Sequence, residues 1–344
     1  MIVKKLRTDL KPFEVFRIFA RENQPVFLDS SDKYKELGKY SIICFNPFMK
    51  IKSKNDQVII EKDNEKIETR APIKILAEYL AEYRTNYQSD LPFIGGAVGH
   101  FSYDLCHYFE ELPRTAEDDV NIPDLNLGFY NGGIVFDHKT REYFVTDAQI
   151  NSRAKKRVDY IIKKLNEAKI PDLKTKEPKS DINIISNIEK KEYYKAINKI
   201  KKYIENGDIY QVNMTQRFET ELREEPLALY SKLRQVNPAP FAAYLDFKEY
   251  QILSSSPERF IRSKDRKLFT RPIKGTRPRG KNTAEDLKLK KELINSEKDK
   301  AELLMIVDLE RNDFSKVAKT ETVKVPELFV VEKYPTVFHL EIGR

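Results

Sequence analysis

The sequence predicts an α+β chain, with strands and helices segregated rather than alternating. Three observations carry this: glycine-punctuated apolar runs before residue 165, a Lys/Pro-rich stretch from Lys169 to Ser180 without periodicity, and beyond it a helix, several short strands and two more helices. At 344 residues, 40% hydrophobic and 34% charged, the chain can bury a large core, as one big domain or as two lobes.

Taken in order, Val26-Phe27-Leu28 and Ile42-Ile43-Cys44-Phe45 read as strands, and Ile73 to Tyr83 as an amphipathic helix. Gly95, Gly96 and Gly99, then Gly128, Gly132 and Gly133, mark sheet turns or close strand packing. Residues 169–185 read as a linker between an N-terminal region, 1–168, and a C-terminal region, 186–344. There Ser186 and Glu189 have capping-box spacing, and Tyr193, Ile197, Ile200 and Ile204 follow at helical spacing up to Asn206-Gly207. Tyr210, Val212 and Met214 then alternate with Gln211, Asn213 and Thr215, as in a half-buried strand. Runs at Phe241 to Phe247, Gln251 to Ser255, Arg259 to Arg262 and Leu268 to Arg271, separated by short polar turns, predict an antiparallel meander. Helices are expected over about Ala284 to Asn295 and Asp299 to Leu309.

Charge and composition exclude several classes. A net charge of +8 would suit a phosphate-rich partner, yet basic and acidic residues interleave, as in Glu61-Lys62-Asp63-Asn64-Glu65-Lys66, so no nucleic-acid partner is expected. The most basic stretch, Arg262 to Lys291, suits an anionic small molecule instead. No long apolar run follows Lys4, Lys5 and Arg7, or occurs elsewhere, so neither a signal peptide nor a membrane partner is expected and the chain is placed in the cytoplasm. Cys44 and Cys106 lack CxxC spacing and read as reduced packing residues. Gly95-Gly96-Ala97-Val98-Gly99 has no Lys-Ser/Thr ending, which argues against a phosphate loop.

Four segments hold residues that could carry chemistry. In Arg271-Pro272-Ile273-Lys274-Gly275-Thr276-Arg277, a lysine ends a strand beside a glycine that admits a ligand close to the backbone. Lys274 is either a surface lysine in a basic turn or a nucleophile, once burial or the cations Arg271 and Arg277 favour loss of its proton. In Ser255-Ser256-Pro257-Glu258-Arg259, Glu258 is either exposed and paired with Arg259 or a general acid. Glu302, in the helix running through Leu303 to Asp313, is either the salt-bridge partner of Lys298 or a ligand for a hard cation such as Mg²⁺. His339 lies in the apolar run Pro335 to Leu340, where a lone histidine is ordinarily a satisfied core residue.

Together these pieces resemble the chorismate-utilising enzymes. Pro92-Phe93-Ile94-Gly95-Gly96-Ala97-Val98-Gly99-His100-Phe101-Ser102-Tyr103-Asp104 is similar to the family's first signature. Gly207-Asp208-Ile209-Tyr210-Gln211-Val212-Asn213, Asn237-Pro238-Ala239-Pro240-Phe241, Ser255-Ser256-Pro257-Glu258 and the block from Glu302 to Asp313 are similar to later ones. The resemblance implies a large antiparallel β-sandwich with outer helices, like anthranilate synthase component I. Where the anthranilate branch carries alanine this chain has Lys274, within the Pro-Ile-Lys-Gly-Thr of the aminodeoxychorismate synthase component I branch. Gln211-Val212-Asn213 and Val323 to Glu332 look like the same branch.

That branch aminates chorismate on the way to 4-aminobenzoate and folate. By resemblance, Lys274 is the nucleophile, Glu258 protonates the leaving hydroxyl, His339 lies against the substrate ring, Gly275 and Thr276 contact chorismate, and Glu302 holds Mg²⁺. Ammonia would come from a separate glutamine amidotransferase subunit. Leu28-Asp29-Ser30, Lys39-Tyr40-Ser41-Ile42 and Pro240-Phe241-Ala242 resemble the family's tryptophan pocket, implying tryptophan as a structural ligand, although Asp29 stands where anthranilate synthases have glutamate. After its His-Leu motif the family continues with a glycine-rich segment, further Tyr and Arg contacts to the substrate and a second Mg²⁺-binding glutamate. None of these follows Arg344. The fold is therefore expected to be incomplete at the C-terminus, with strands unpaired and a core face uncovered. An anthranilate synthase component I, or a non-catalytic remnant, is the alternative.

Overall fold

The computed structural model describes residues 1–30, 37–167, 169–174 and 182–342. The first half runs β1 (Ile2–Leu6), α1 (Pro12–Phe19), β2 (Val26–Asp29), β3 (Tyr40–Cys44), β4 (Met49–Lys54), β5 (Gln57–Lys62), β6 (Glu65–Arg70) and α2 (Pro72–Glu82). It continues with β7 (Gly96–Phe101), β8 (Leu125–Tyr130), β9 (Gly132–Asp137), β10 (Glu142–Asp147) and α3 (Ala154–Glu167). Then come β11 (Ile185–Ser186), α4 (Lys190–Glu205), β12 (Phe218–Glu219), α5 (Pro226–Val236), β13 (Phe241–Asp246), β14 (Gln251–Ser256), β15 (Arg259–Lys264) and β16 (Lys267–Arg271). The remainder is β17 (Ile273–Pro278), α6 (Thr283–Asn295), α7 (Glu297–Ser315), β18 (Val330–Lys333) and β19 (Val337–Glu341).

Two compact units result. One comprises Met1–Pro171 with Tyr230–Arg344, the other Asp172–Leu229. In the first, a seven-stranded sheet has the order β1-β10-β9-β3-β2-β13-β14 and a five-stranded sheet the order β6-β5-β4-β8-β7, all neighbours antiparallel. Val98 and Tyr130 of the smaller sheet share an apolar cluster with Val26, Cys44 and Leu245 of the larger, so the sheets bury their inner faces against each other. Gly99 is needed here: a Cβ would sit 1.9 Å from the Asn126 carbonyl oxygen of the neighbouring strand. β13 pairs with β2, so segments on both sides of residues 169–185 contribute to one sheet.

Several sequence expectations are corrected. Helices α1 and α3 were not anticipated. In α1 the buried Phe13, Val15, Phe16, Ile18 and Phe19 leave only Glu14 and Arg17 as polar residues on the outer face, a short period in an eight-residue helix that the sequence reading did not take up. In α3 the buried Ala154, Val158, Ile161 and Leu165 are separated by lysine and arginine. Ser186 does not cap α4: the N-cap is Glu189, and the Ser186 hydroxyl bonds to the Ile188 carbonyl. Residues 210–215 form no strand, and Tyr210 is exposed; alternation alone makes no strand without a partner, and the two-residue pair β11–β12 is the ladder this unit has among the described residues. The meander is broken between β14 and β15. β13 and β14 extend the large sheet, whereas β15 and β16 pair as a separate hairpin. Part of the expected linker 169–185, residues 175–181, lies outside the described residues. No helix among the described residues is long and apolar enough to cross a membrane.

Candidate active site

β17 forms one edge of a three-stranded sheet of order β17-β19-β18. Its pairing with β19 slips by one residue: Lys274 stands opposite Leu340, and Thr276 opposite His339. The extra residue is Gly275, at φ +70, whose added Cβ would lie 2.9 Å from Asp299 Cβ and 3.0 Å from Leu293 Cδ1. Only glycine allows both the left-handed backbone and this approach to α6 and α7. The bulge also sorts the side chains. Leu340 and Phe338 pack with Leu293, Leu303 and Val307, so alternation puts Lys274 on the helix-facing side of the sheet. Thr276, beyond the bulge, shares the other side with His339, Glu341 and Ile273.

On the helix-facing side, the charge of half-buried Lys274 reaches Glu310 of α7. Burial raises the Glu310 carboxyl, a hydrogen bond with Thr270 opposes that, the charges of Glu258 and Asp313 raise it further, and Lys274 lowers it. Glu258 is exposed, and its Oε1 accepts the backbone N–H of Ile273 at 2.9 Å, one residue from Lys274. The Arg259 guanidinium is turned to the Phe241 ring, 5.4 Å from its centroid. On the opposite side, Thr276 Oγ1 and His339 Nδ1 are 2.9 Å apart. The His339 imidazole is pushed down by burial, with a bond to the Gly275 backbone opposing, so the neutral ring is favoured. Glu310 escaped the sequence reading; its signal was its place eleven residues after Asp299, on the same face of α7.

Glu302 lies on α7 with its carboxylate 3.6 Å from the Lys298 ammonium, one turn earlier. Among the described residues, no three of His, Cys, Asp or Glu converge as metal ligands. A single half-exposed carboxylate already engaged by a lysine does not fit a protein-built Mg²⁺ cage.

The residues of the expected tryptophan pocket converge partly. The Ser30 N–H donates to Ser41 Oγ at 3.2 Å, and Ser30 Oγ donates to the Pro240 carbonyl at 3.0 Å. Ala242 stands opposite Asp29 between β13 and β2, and Ile42 opposite Leu28 between β3 and β2. Lys39 turns elsewhere, 3.8 Å from Asp137 and over the Tyr40 ring, while the Tyr40 hydroxyl donates to the Asp90 carbonyl at 3.4 Å. Phe241 lies under Arg259. Two partners were not foreseen: Arg234 Nε donates to buried Asp29 Oδ2 at 2.8 Å, and Ser41 Oγ is 2.8 Å from His138 Nε2.

Residues 23–342 match the family described as chorismate binding enzyme. The chain is 35% identical over 345 residues to anthranilate synthase component 1 of Acetivibrio thermocellus, covering 96% of this chain and 70% of that protein. It is 36% identical over 311 residues to aminodeoxychorismate synthase component 1 of Escherichia coli (strain K12), covering 88% of this chain and 66% of that protein. The crystal structure of anthranilate synthase component I from Streptococcus pneumoniae TIGR4 superposes with a TM-score of 0.75 at 28% identity, covering 88% of this chain and 68% of that one. The chain thus spans about two thirds of the length of these relatives.

Proposed function

The chain belongs to the chorismate-binding enzyme family, and from that premise we propose that it is the chorismate-aminating component of an aminodeoxychorismate synthase, supplied with ammonia by a separate glutamine amidotransferase subunit. The observation that carries the reading is Lys274, half-buried on a strand whose preceding N–H is bonded to Glu258. In the proposed reaction, the Lys274 amine attacks C2 of the chorismate ring, the ring electrons shift, and the C4–O bond breaks. Glu258 gives the departing hydroxyl its proton, so it leaves as water. Ammonia then adds at C4, the electrons shift back, and the C2–N bond breaks to free Lys274. The proton lost by the new ammonium returns to Glu258, giving 4-amino-4-deoxychorismate. Thr276 and the neutral His339 stand on the other face of β17 from Lys274 and are assigned contact with the part of the substrate that reaches past the free edge of that strand. No step is assigned to a metal.

The test is incubation of the purified chain with chorismate, Mg²⁺ and ammonium, followed by chromatography and peptide mass spectrometry. A 4-aminated product and an adduct on Lys274, both lost in Lys274→Ala, are expected. A second reading, anthranilate synthase component I, is favoured by the 35% identity to that protein of Acetivibrio thermocellus; it predicts the 2-aminated product. Neither product from a folded chain overturns both readings.

A further inference from the structure

We propose that Glu341 is a positioning residue for the Thr276–His339 pair, acting through Tyr334 and held in place by Arg271. A buried carboxylate is costly unless its oxygens are paired, and Glu341 is only 1% exposed. Its Oε1 accepts the Tyr334 hydroxyl at 2.7 Å, and its Oε2 lies 2.9 Å from Arg271 Nε. That guanidinium is shared: its Nε–H is directed to the Ile342 carbonyl at 3.1 Å, and a terminal nitrogen pairs with Glu332 at 2.5 Å. Glu341 Oε2 is therefore ion-paired without a hydrogen bond of its own.

Tyr334 carries this arrangement to the site. Fixed at its hydroxyl, its ring meets the His339 ring at 5.0 Å between centroids and 70° between planes, and His339 Nδ1 is 2.9 Å from Thr276 Oγ1. Strand register explains the adjacency. Glu341 stands opposite Ile273 and Val330, while His339 stands opposite Thr276 and Glu332, which puts the whole set on the sheet face away from α6 and α7. The groups facing Glu341 are Arg271 of β16, Glu332 of β18, Tyr334 from the turn into β19, and Glu258 from the turn before β15. Burial raises Glu341 to about 7, Tyr334 and Arg271 oppose the rise, and Glu332 and Glu258 reinforce it. Near neutrality Glu341 thus exchanges a proton. Once protonated, it loses its charge against Arg271, and the Tyr334 hydroxyl must share an oxygen environment that now includes a donor.

The inference rests on the proposed chemistry only in treating Thr276 and His339 as substrate-facing. Its readout needs no substrate, so the two can fail separately. The chain has four histidines, His100, His107, His138 and His339, whose imidazole C–H signals can be followed individually by NMR. Over about pH 5–9, the His339 signal of the full chain is expected to show a second inflection besides its own titration. Glu341→Gln should abolish that inflection, and Tyr334→Phe, which keeps the ring, should reduce its amplitude by at least half, with His100, His107 and His138 unchanged. A single His339 inflection in the unmodified chain overturns the proposal, as does a second inflection that persists in Glu341→Gln. Should Glu341→Gln fail to fold, full amplitude in Tyr334→Phe overturns it.

Discussion

Glu258 Oε1 accepts the backbone N–H of Ile273 at 2.9 Å, which ties the carboxylate at the start of β15 to the strand that carries Lys274. The bond orients Glu258 while leaving it exposed. Because an exposed carboxylate stabilises the fold little, its loss should be felt in chemistry rather than in folding. Glu258→Gln is expected to lower ammonium-dependent turnover by about 10²–10⁴, the usual range for a positioned general acid. The thermal midpoint should stay nearly constant; a large fall in midpoint with turnover retained would contradict the assigned role.

Gly275→Ala should destabilise the fold. The residue holds φ +70, and a new Cβ would meet Asp299 Cβ at 2.9 Å. Strain of this kind costs about 1–3 kcal/mol, readable as a drop in the urea midpoint. Lys274→Ala, on the same strand, should cost much less, which separates bulge geometry from lysine chemistry.

Stability should fall as pH rises through neutrality. Glu341 titrates near its ordinary 4.5 when unfolded and at about 7 when folded. Between these values the folded state binds the extra proton, so the stabilisation is fully present below the lower value and lost as pH passes the higher one. The loss is on the order of 3 kcal/mol. Urea unfolding across that window should show the decline, and Glu341→Gln should flatten it. An equally steep decline in the variant would assign the effect to other groups.

Arg234→Met should cost about 3–5 kcal/mol, because it leaves the carboxylate of Asp29, 3% exposed in its side chain, without its guanidinium. The double variant Asp29→Asn with Arg234→Met should recover much of the loss. Calorimetric midpoints of the unmodified chain, Arg234→Met, Asp29→Asn and the double variant give the comparison, and strict additivity would argue against the pair.

The exposed pair Lys298–Glu302 should contribute no more than about 0.5 kcal/mol. Lys298→Ala should therefore leave the unfolding midpoint almost unchanged.

Local pattern determined a good deal of this protein. The helices α6 and α7, the strand pair β13–β14 and the hairpin β15–β16 were legible because their apolar periods and turn residues act over a few neighbours. Lys274, Glu258 and His339 could be named as candidates by residue type alone, each with a bland reading beside it, whereas their roles and those of Gly275 and Thr276 came from the resemblance to the chorismate-utilising enzymes. Tertiary structure alone decided how they face one another. The register slip at Gly275 sends Lys274 and Thr276 to opposite sides of β17, and whether a residue is the extra one in a bulge depends on a partner strand more than sixty residues away. The same holds for Glu310, whose environment comes from Thr270, Glu258 and Lys274, and for Asp29, whose charge is met by Arg234 of α5. Residues 210–215 show the converse: alternation was present, but no neighbouring strand satisfied its backbone. Periodicity reports which side chains share a face, whereas the charge and packing of a site are set by whatever the folded chain places opposite them.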